Sequence, residues 1–218
     1  IERENIDVLF SNDDLLIVKP LADNIKPYKN DGVVAINNKT ARLAQAYRNE
    51  FPTVTEEDQI VRELMNEVEI ENLEVTVQHL QDYERRYYNS TEAYAAGDWL
   101  YEQFENLGFN ELDGLEVEQF EFKYGVNESS PNIIATQWGT KYPDQYIVCG
   151  SHYDSYSHSG MCPGADDNAT GVATVLETAR ILSQYSFERT IIYCAFSAEE
   201  QGLIGSGAYA SFCADMGY

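Results

Sequence analysis

Residues 146–197 read YIVCGSHYDSYSHSGMCPGADDNATGVATVLETARILSQYSFERTIIYCAFS. Two runs rich in β-branched and aromatic residues, YIVCG at 146–150 and TIIYCAFS at 190–197, have strand length. Between them lie a loop of about 18 residues and a helical stretch from Ala169 to about Tyr185. Strand, crossover helix, strand is the order that pairs two strands in parallel through a right-handed connection. The expected fold class is therefore α/β, a three-layer sandwich whose mixed sheet has a parallel centre and an antiparallel edge.

Working outward, LEVEQFEF at 115–122 and NIIATQWG at 132–139 are β-rich runs joined through GVNESSP, which reads as a long hairpin at the antiparallel edge. Upstream, a helix is expected through LEVTVQHLQDYERRYY at 73–88 and another from Thr91 to Leu107. In the second, Ala93, Ala96, Leu100, Phe104 and Leu107 form one apolar stripe, and Gly108 is the stop. His79, alone on the first helix, reads as an ordinary packed or surface histidine.

The first 72 residues differ in character and are expected to form an appendage, a pro-segment or accessory-domain remnant, ahead of a catalytic portion at 73–218. They offer the apolar run LLIVKP, a hairpin-like DGVVAI and a helix TARLAQAYRNEF capped by Thr40, followed by the acidic stretch from Thr55 to Glu74. None of these carries recognisable chemistry.

The chain has 218 residues, 44% of them hydrophobic, enough for one sizeable core. Its formal net charge of -23 repels phosphate backbones and anionic lipid, which argues against nucleic acid or a membrane surface as partner. Acidic runs such as 67–74 serve solubility in most chains. No apolar stretch approaches the ~20 residues that would cross a bilayer, and residue 1 begins no signal peptide. Cys149, Cys162, Cys194 and Cys213 show no CxxC grouping, so no structural zinc knuckle is expected. Cys149 and Cys194 read as buried thiols inside strands, whereas Cys162 and Cys213 are free to pair only in an oxidising compartment.

The chemistry gathers where open α/β sheets place it, beyond the carboxyl ends of parallel strands. His152 follows YIVCG closely, Glu199 and Glu200 follow TIIYCAFS, and Asp167 sits in the loop entering the crossover helix. One imidazole with several carboxylates suits zinc or another borderline divalent ion. Asp154 is placed to accept the imidazole's other N–H and so fix its tautomer. Of Glu199 and Glu200, one is expected to bind metal and the other to act as general base toward water, a division of labour that hydrolyses amides. Each element alone is common, and an Asp pair before a helix is also what an N-terminal cap looks like. Their order, and the glycines of GADDNATG and EEQGLIGS, favour the metal site.

The strings RYYNSTEAYAAGDWLYEQF, PNIIATQWG, GSHYDS, PGADDNATG and SAEEQGLIGS resemble the di-zinc exopeptidases that include bacterial leucyl aminopeptidases of the Vibrio type, over residues 73 to 218. The resemblance implies a phosphorylase/hydrolase-like zinc peptidase fold and removal of N-terminal residues from peptides. It implies His152 as ligand of one zinc, Asp167 as the bridging ligand, Glu200 as ligand of the other, Glu199 as general base and Asp154 as the residue orienting His152. Asp167 rather than Asp166 matches the family's bridging position. A secreted or periplasmic location also follows from the resemblance.

The family supplies a further Asp and a distant C-terminal His, and neither has a match before Tyr218. Asp215 reads as part of a helix after GLIGS, and His158 as a solvent-facing loop residue. The expectation is thus an N-terminal portion holding two protein ligands per zinc, with a partial or empty site in this chain alone. The alternatives are a same-fold carboxypeptidase or glutaminyl cyclase, or a binding module that has lost its metals.

Overall fold

The computed structural model describes residues 6–11, 16–20, 56–158 and 160–217, with the side chains of 59–158 and 160–217. The expected DGVVAI turn and the helix over 40–51 lie outside the described residues. Two compact units divide the chain, Ile1–Thr53 and Val54–Tyr218, so the break between units falls ahead of the division expected at 72/73. In the first unit, strand β1 (Ile6–Ser11) pairs antiparallel with β2 (Leu16–Pro20), the latter within the run LLIVKP.

The second unit opens with helices α1 (Glu56–Asn66) and α2 (Ile70–Gln81). Helix α3 (Thr91–Asn106) starts where the Ser90 hydroxyl accepts the Ala93 amide, satisfying one of the free donors of the first turn. It stops at Gly108, whose φ of 94° suits a residue without Cβ. Its buried face is Ala93, Ala96, Leu100 and Phe104, as the spacing predicts.

Strands β3 (Leu115–Phe120) and β6 (Asn132–Gln137) form the antiparallel hairpin, Phe120 opposite Asn132. Its connection carries a two-residue ladder of β4 (Lys123–Tyr124) and β5 (Asn127–Glu128). Strand β7 (Tyr142–His152), helix α4 (Thr170–Leu182) and strand β8 (Arg189–Phe196) form the crossover unit, with β7 and β8 parallel. Helix α5 (Ile204–Met216) closes the order and contains Asp215.

The described sheet runs β3-β6-β8-β7, and only β7 and β8 run parallel in it. Strand β8 is buried along nearly its whole length because both faces are covered. Alternate side chains part to opposite sides: Ile191, Tyr193 and Ala195 join the core under α3 and α4, while Ile192 and Cys194 face Tyr209 of α5. Each such fully buried apolar side chain stabilises the fold by roughly 1.5–3 kcal/mol. The result is the three-layer arrangement.

The helix expected through residue 88 ends instead at Gln81, with Asp82 as its cap. Glu84 takes a φ of 60°, turning the chain so that Arg85 bridges alongside Cys162 and Arg86 enters the interior. His79 lies outside the site. It stacks on Trp99 at 4.1 Å and meets Tyr83 edge-on, and burial lowers its pKa. All four cysteines are free thiols; Cys194 is buried and the other three are half-buried.

Candidate metal centre

Strand β7 ends on His152, and Tyr153 continues the pairing by donating its amide to the Phe196 carbonyl. That contact sets the ends of β7 and β8 level with each other. Asp154, wholly buried, then reaches across: its Oδ1 accepts the Glu199 amide at 3.0 Å and its Oδ2 the Glu200 amide at 3.2 Å. Two consecutive backbone donors, in a turn where Ala198 takes a φ of 54°, are satisfied by one carboxylate.

Asp154 stands beside His152, and the shorter of their contacts runs through the main chain. The His152 Nδ1 lies 3.1 Å from the Asp154 backbone carbonyl and 3.5 Å from its Oδ1. The carboxylate oxygens are occupied by the two amides, which the sequence pattern gave no means of foreseeing. Either way Nδ1 is engaged, so Nε2 is the nitrogen turned outward.

Nε2 meets Asp167 Oδ1 at 3.0 Å, with Glu199 Oε2 at 3.8 Å. Asp167 arrives from a π-type turn, Ala165–Ala169, that leads into α4; its φ and ψ of -117° and 92° are not helical, and its peptide bond to Asn168 is cis. The Asn168 side chain caps α4 by accepting the Gly171 amide. Asp166, the other candidate, is exposed. Its carbonyl accepts the Thr170 hydroxyl.

Charge at the site is strongly coupled. Burial alone lowers the pKa of His152, but the hydrogen bond and field of Asp154, with Glu199, carry it to about 9. Glu200 is pushed above the usual carboxylate range by burial and by the charges of Asp167 and Asp154. Four carboxylates, Asp154, Asp167, Glu199 and Glu200, gathered about one imidazole thus create a field that favours a cation.

No cluster of three or more His, Cys, Asp or Glu side chains is arranged to hold a metal ion among the described residues. What the structure brings together is the pair His152 and Asp167, with Glu199 beside it. His158 does not join them: it is exposed and its Nδ1 lies 2.9 Å from the Tyr156 hydroxyl.

Residues 132–216, from β6 to the end of α5, match the model of Peptidase family M28. That stretch of the chain is similar to this peptidase family. The chain is 33% identical over 168 residues to a protein of Pyrenophora teres f. teres named "Probable zinc metalloprotease", covering 68% of this chain and 36% of that relative. It is 32% identical over 173 residues to "Leucine aminopeptidase 1" of Paracoccidioides brasiliensis, covering 74% and 43%. Among solved structures, LapB from Legionella pneumophila superposes with a TM-score of 0.66 at 30% identity, over 75% of this chain and 44% of that one. The chain spans about two fifths of the length of these curated relatives.

Two features of the scaffold around these residues escaped sequence reasoning. Asn132 staples β8 to α5, its Oδ1 accepting the Ser197 amide and its Nδ2 donating to the Gly205 carbonyl. A Cβ on Gly205 would lie 2.2 Å from the Ser197 carbonyl oxygen, so only glycine lets α5 start so close to the strand bearing the Glu pair. The second is Arg86, fully buried. Its only sequence signal is an arginine pair among tyrosines in a chain with 14 basic residues.

Proposed function

We propose that the protein carrying this chain is a zinc-dependent aminopeptidase that removes N-terminal residues from peptides. One observation carries the reading: the outward Nε2 of His152 faces Asp167 Oδ1 at 3.0 Å while its Nδ1 is held by Asp154. An imidazole with a fixed tautomer beside carboxylates is the donor chemistry that zinc takes. His152 and Asp167 would hold one ion, and Asp167 with Glu200 a second.

Bound there, zinc supplies Lewis acidity toward the scissile carbonyl and makes its water more acidic. The chain's own groups do the rest. Asp154 orients the imidazole through its carbonyl and holds the Glu199–Glu200 turn in place. Glu199, with Oε2 3.8 Å from His152 Nε2 and its side chain one-third exposed, takes a proton from water and returns it to the leaving amine. The acidic rim favours the protonated amino terminus of a peptide. The names of its relatives support the peptidase reading, as does the family match.

The test uses the complete gene product, with metal analysis and hydrolysis of leucyl-p-nitroanilide with and without a chelator. Bound zinc and chelator-sensitive release of leucine are expected. A verified full-length protein with neither overturns the proposal. We propose a secreted or periplasmic location, which fractionation of the source cells checks.

A further inference from the structure

Among the described residues Arg86 is the largest fully buried side chain; burial lowers its pKa to about 10, and the charge of Asp154 offsets part of that cost. Its guanidinium donates to four backbone carbonyls. Nε reaches Tyr153 O at 2.6 Å, Nη1 reaches Leu80 O and Pro163 O at 2.6 Å each, and Nη2 reaches Gly164 O at 3.1 Å. Its backbone adds to the hold: the Arg86 amide donates to Ser155 Oγ at 3.0 Å, and the Arg86 carbonyl accepts the Ser155 amide at 3.0 Å. The Ser155 hydroxyl passes the connection on to Cys162 O at 2.7 Å.

Apart from Leu80 on α2, the guanidinium partners belong to two segments. Tyr153 lies between His152 and Asp154, at the end of β7. Pro163 and Gly164 stand at the threshold of the turn that carries Asp167. Gly164, at φ 56°, approaches so closely that a Cβ would lie 2.6 Å from Ser155 Cβ and 2.9 Å from Arg86 Nη2. The planar fork of the guanidinium can serve several acceptors at fixed angles, which the single ammonium of a lysine cannot copy. A buried charge hydrogen-bonded only to backbone carbonyls among the described residues calls for a reason, because desolvation opposes it.

We propose that Arg86 is a positioning residue which, together with Ser155, sets the separation of His152 and Asp167 and so the geometry of the metal centre. The inference rests on the zinc-peptidase reading. Arg86 itself touches neither reacting atoms nor metal ligands. It fixes the two peptide segments on which those ligands stand, and Asp167, otherwise exposed, has no comparable anchor of its own.

The experiment compares wild type, Arg86→Lys and Ser155→Ala in the complete protein. Cobalt(II) binding is read by visible absorption and chelator competition, folding by circular dichroism, and the metal-free proteins are crystallised. For folded Arg86→Lys we expect cobalt affinity to fall by about 10- to 100-fold with an altered absorption band, the range seen when outer partners of metal ligands are removed. The His152–Asp167 separation should widen beyond hydrogen-bond reach, and Ser155→Ala should show a smaller loss in the same direction. A merely structural arginine would lower the melting temperature without changing the spectrum or that separation, and this result overturns the proposal. Should Arg86→Lys not fold, Ser155→Ala decides: an unchanged affinity, spectrum and separation overturns it equally. Wild type that binds neither cobalt nor zinc instead sinks the peptidase reading, while the metal-free separations still report on the clamp.

Discussion

Asp154 and Asp167 are chemically the same residue, thirteen positions apart, both within 3.5 Å of the same imidazole, yet they occupy opposite surroundings. Asp154 is wholly buried, and its two oxygens are taken by the Glu199 and Glu200 amides. Asp167 has a side chain 78% exposed, and its hydrogen-bond partner among the described residues is His152. A carboxylate sealed among amide donors has no capacity left for a metal, whereas one left open with free lone pairs does. Burial and satisfaction therefore separate the residue that builds the site from the one that offers itself to a ligand.

Substitutions break this comparison by degrees. Asp154→Ala should lose three things at once, stability, metal and turnover. Two buried amides left without acceptors cost about 1–3 kcal/mol each, and denaturant unfolding of the metal-free protein measures the loss. Asp167→Ala should lose metal and turnover only. An exposed carboxylate removed from the surface changes stability by within about 0.5 kcal/mol, so an unchanged unfolding midpoint beside absent zinc is the expected pair of results. Glu199→Gln should lose turnover alone, with kcat down about 10²–10⁴-fold and metal content intact. Zinc lost from that variant, with activity restored by added metal, would reverse the roles given to the two glutamates.

The smallest effect is read from pH. In the metal-free protein, His152 is raised from 6.5 to about 9, so the folded state binds its proton more tightly than the unfolded state does. That contribution to stability is fully present below about pH 6.5 and is lost as pH rises through about 9. Burial opposes the rise, and the hydrogen bonds and charge of Asp154 with the charge of Glu199 supply it. Melting temperatures between these limits should therefore fall with pH in wild type and nearly as steeply in Asp167→Ala. The slope should flatten in Asp154→Ala.

How much of this was legible in the sequence follows from the range of the forces involved. The crossover unit was readable because β7, α4 and β8 each carry their own periodicity, and the α3 stripe because Ala93, Ala96, Leu100 and Phe104 recur at helical spacing. Strand ends pointed to His152 and the Glu pair, and the loop entering α4 to Asp167; the structure brings His152 and Asp167 together with Glu199 beside them. Local propensity failed at residues 82–88, where nothing near Glu84 announces a left-handed turn. The reason lies 67 to 78 residues beyond Arg86, in carbonyls of Tyr153, Pro163 and Gly164 that take the Arg86 donors. The same holds for Asp154, whose carboxylate partners are amides in the turn after β8. The division of ligand and base between the two glutamates came from resemblance to a family, not from spacing.

The Asp154 carboxylate grips positions 199 and 200 by their main-chain N–H groups and makes no use of their side chains. Its grip is thus blind to which amino acids stand there, proline excepted. The turn works as a socket for interchangeable parts: either glutamate can be exchanged for another residue while the backbone beneath stays seated, so new chemistry can be tried at this rim without rebuilding the mount that presents it.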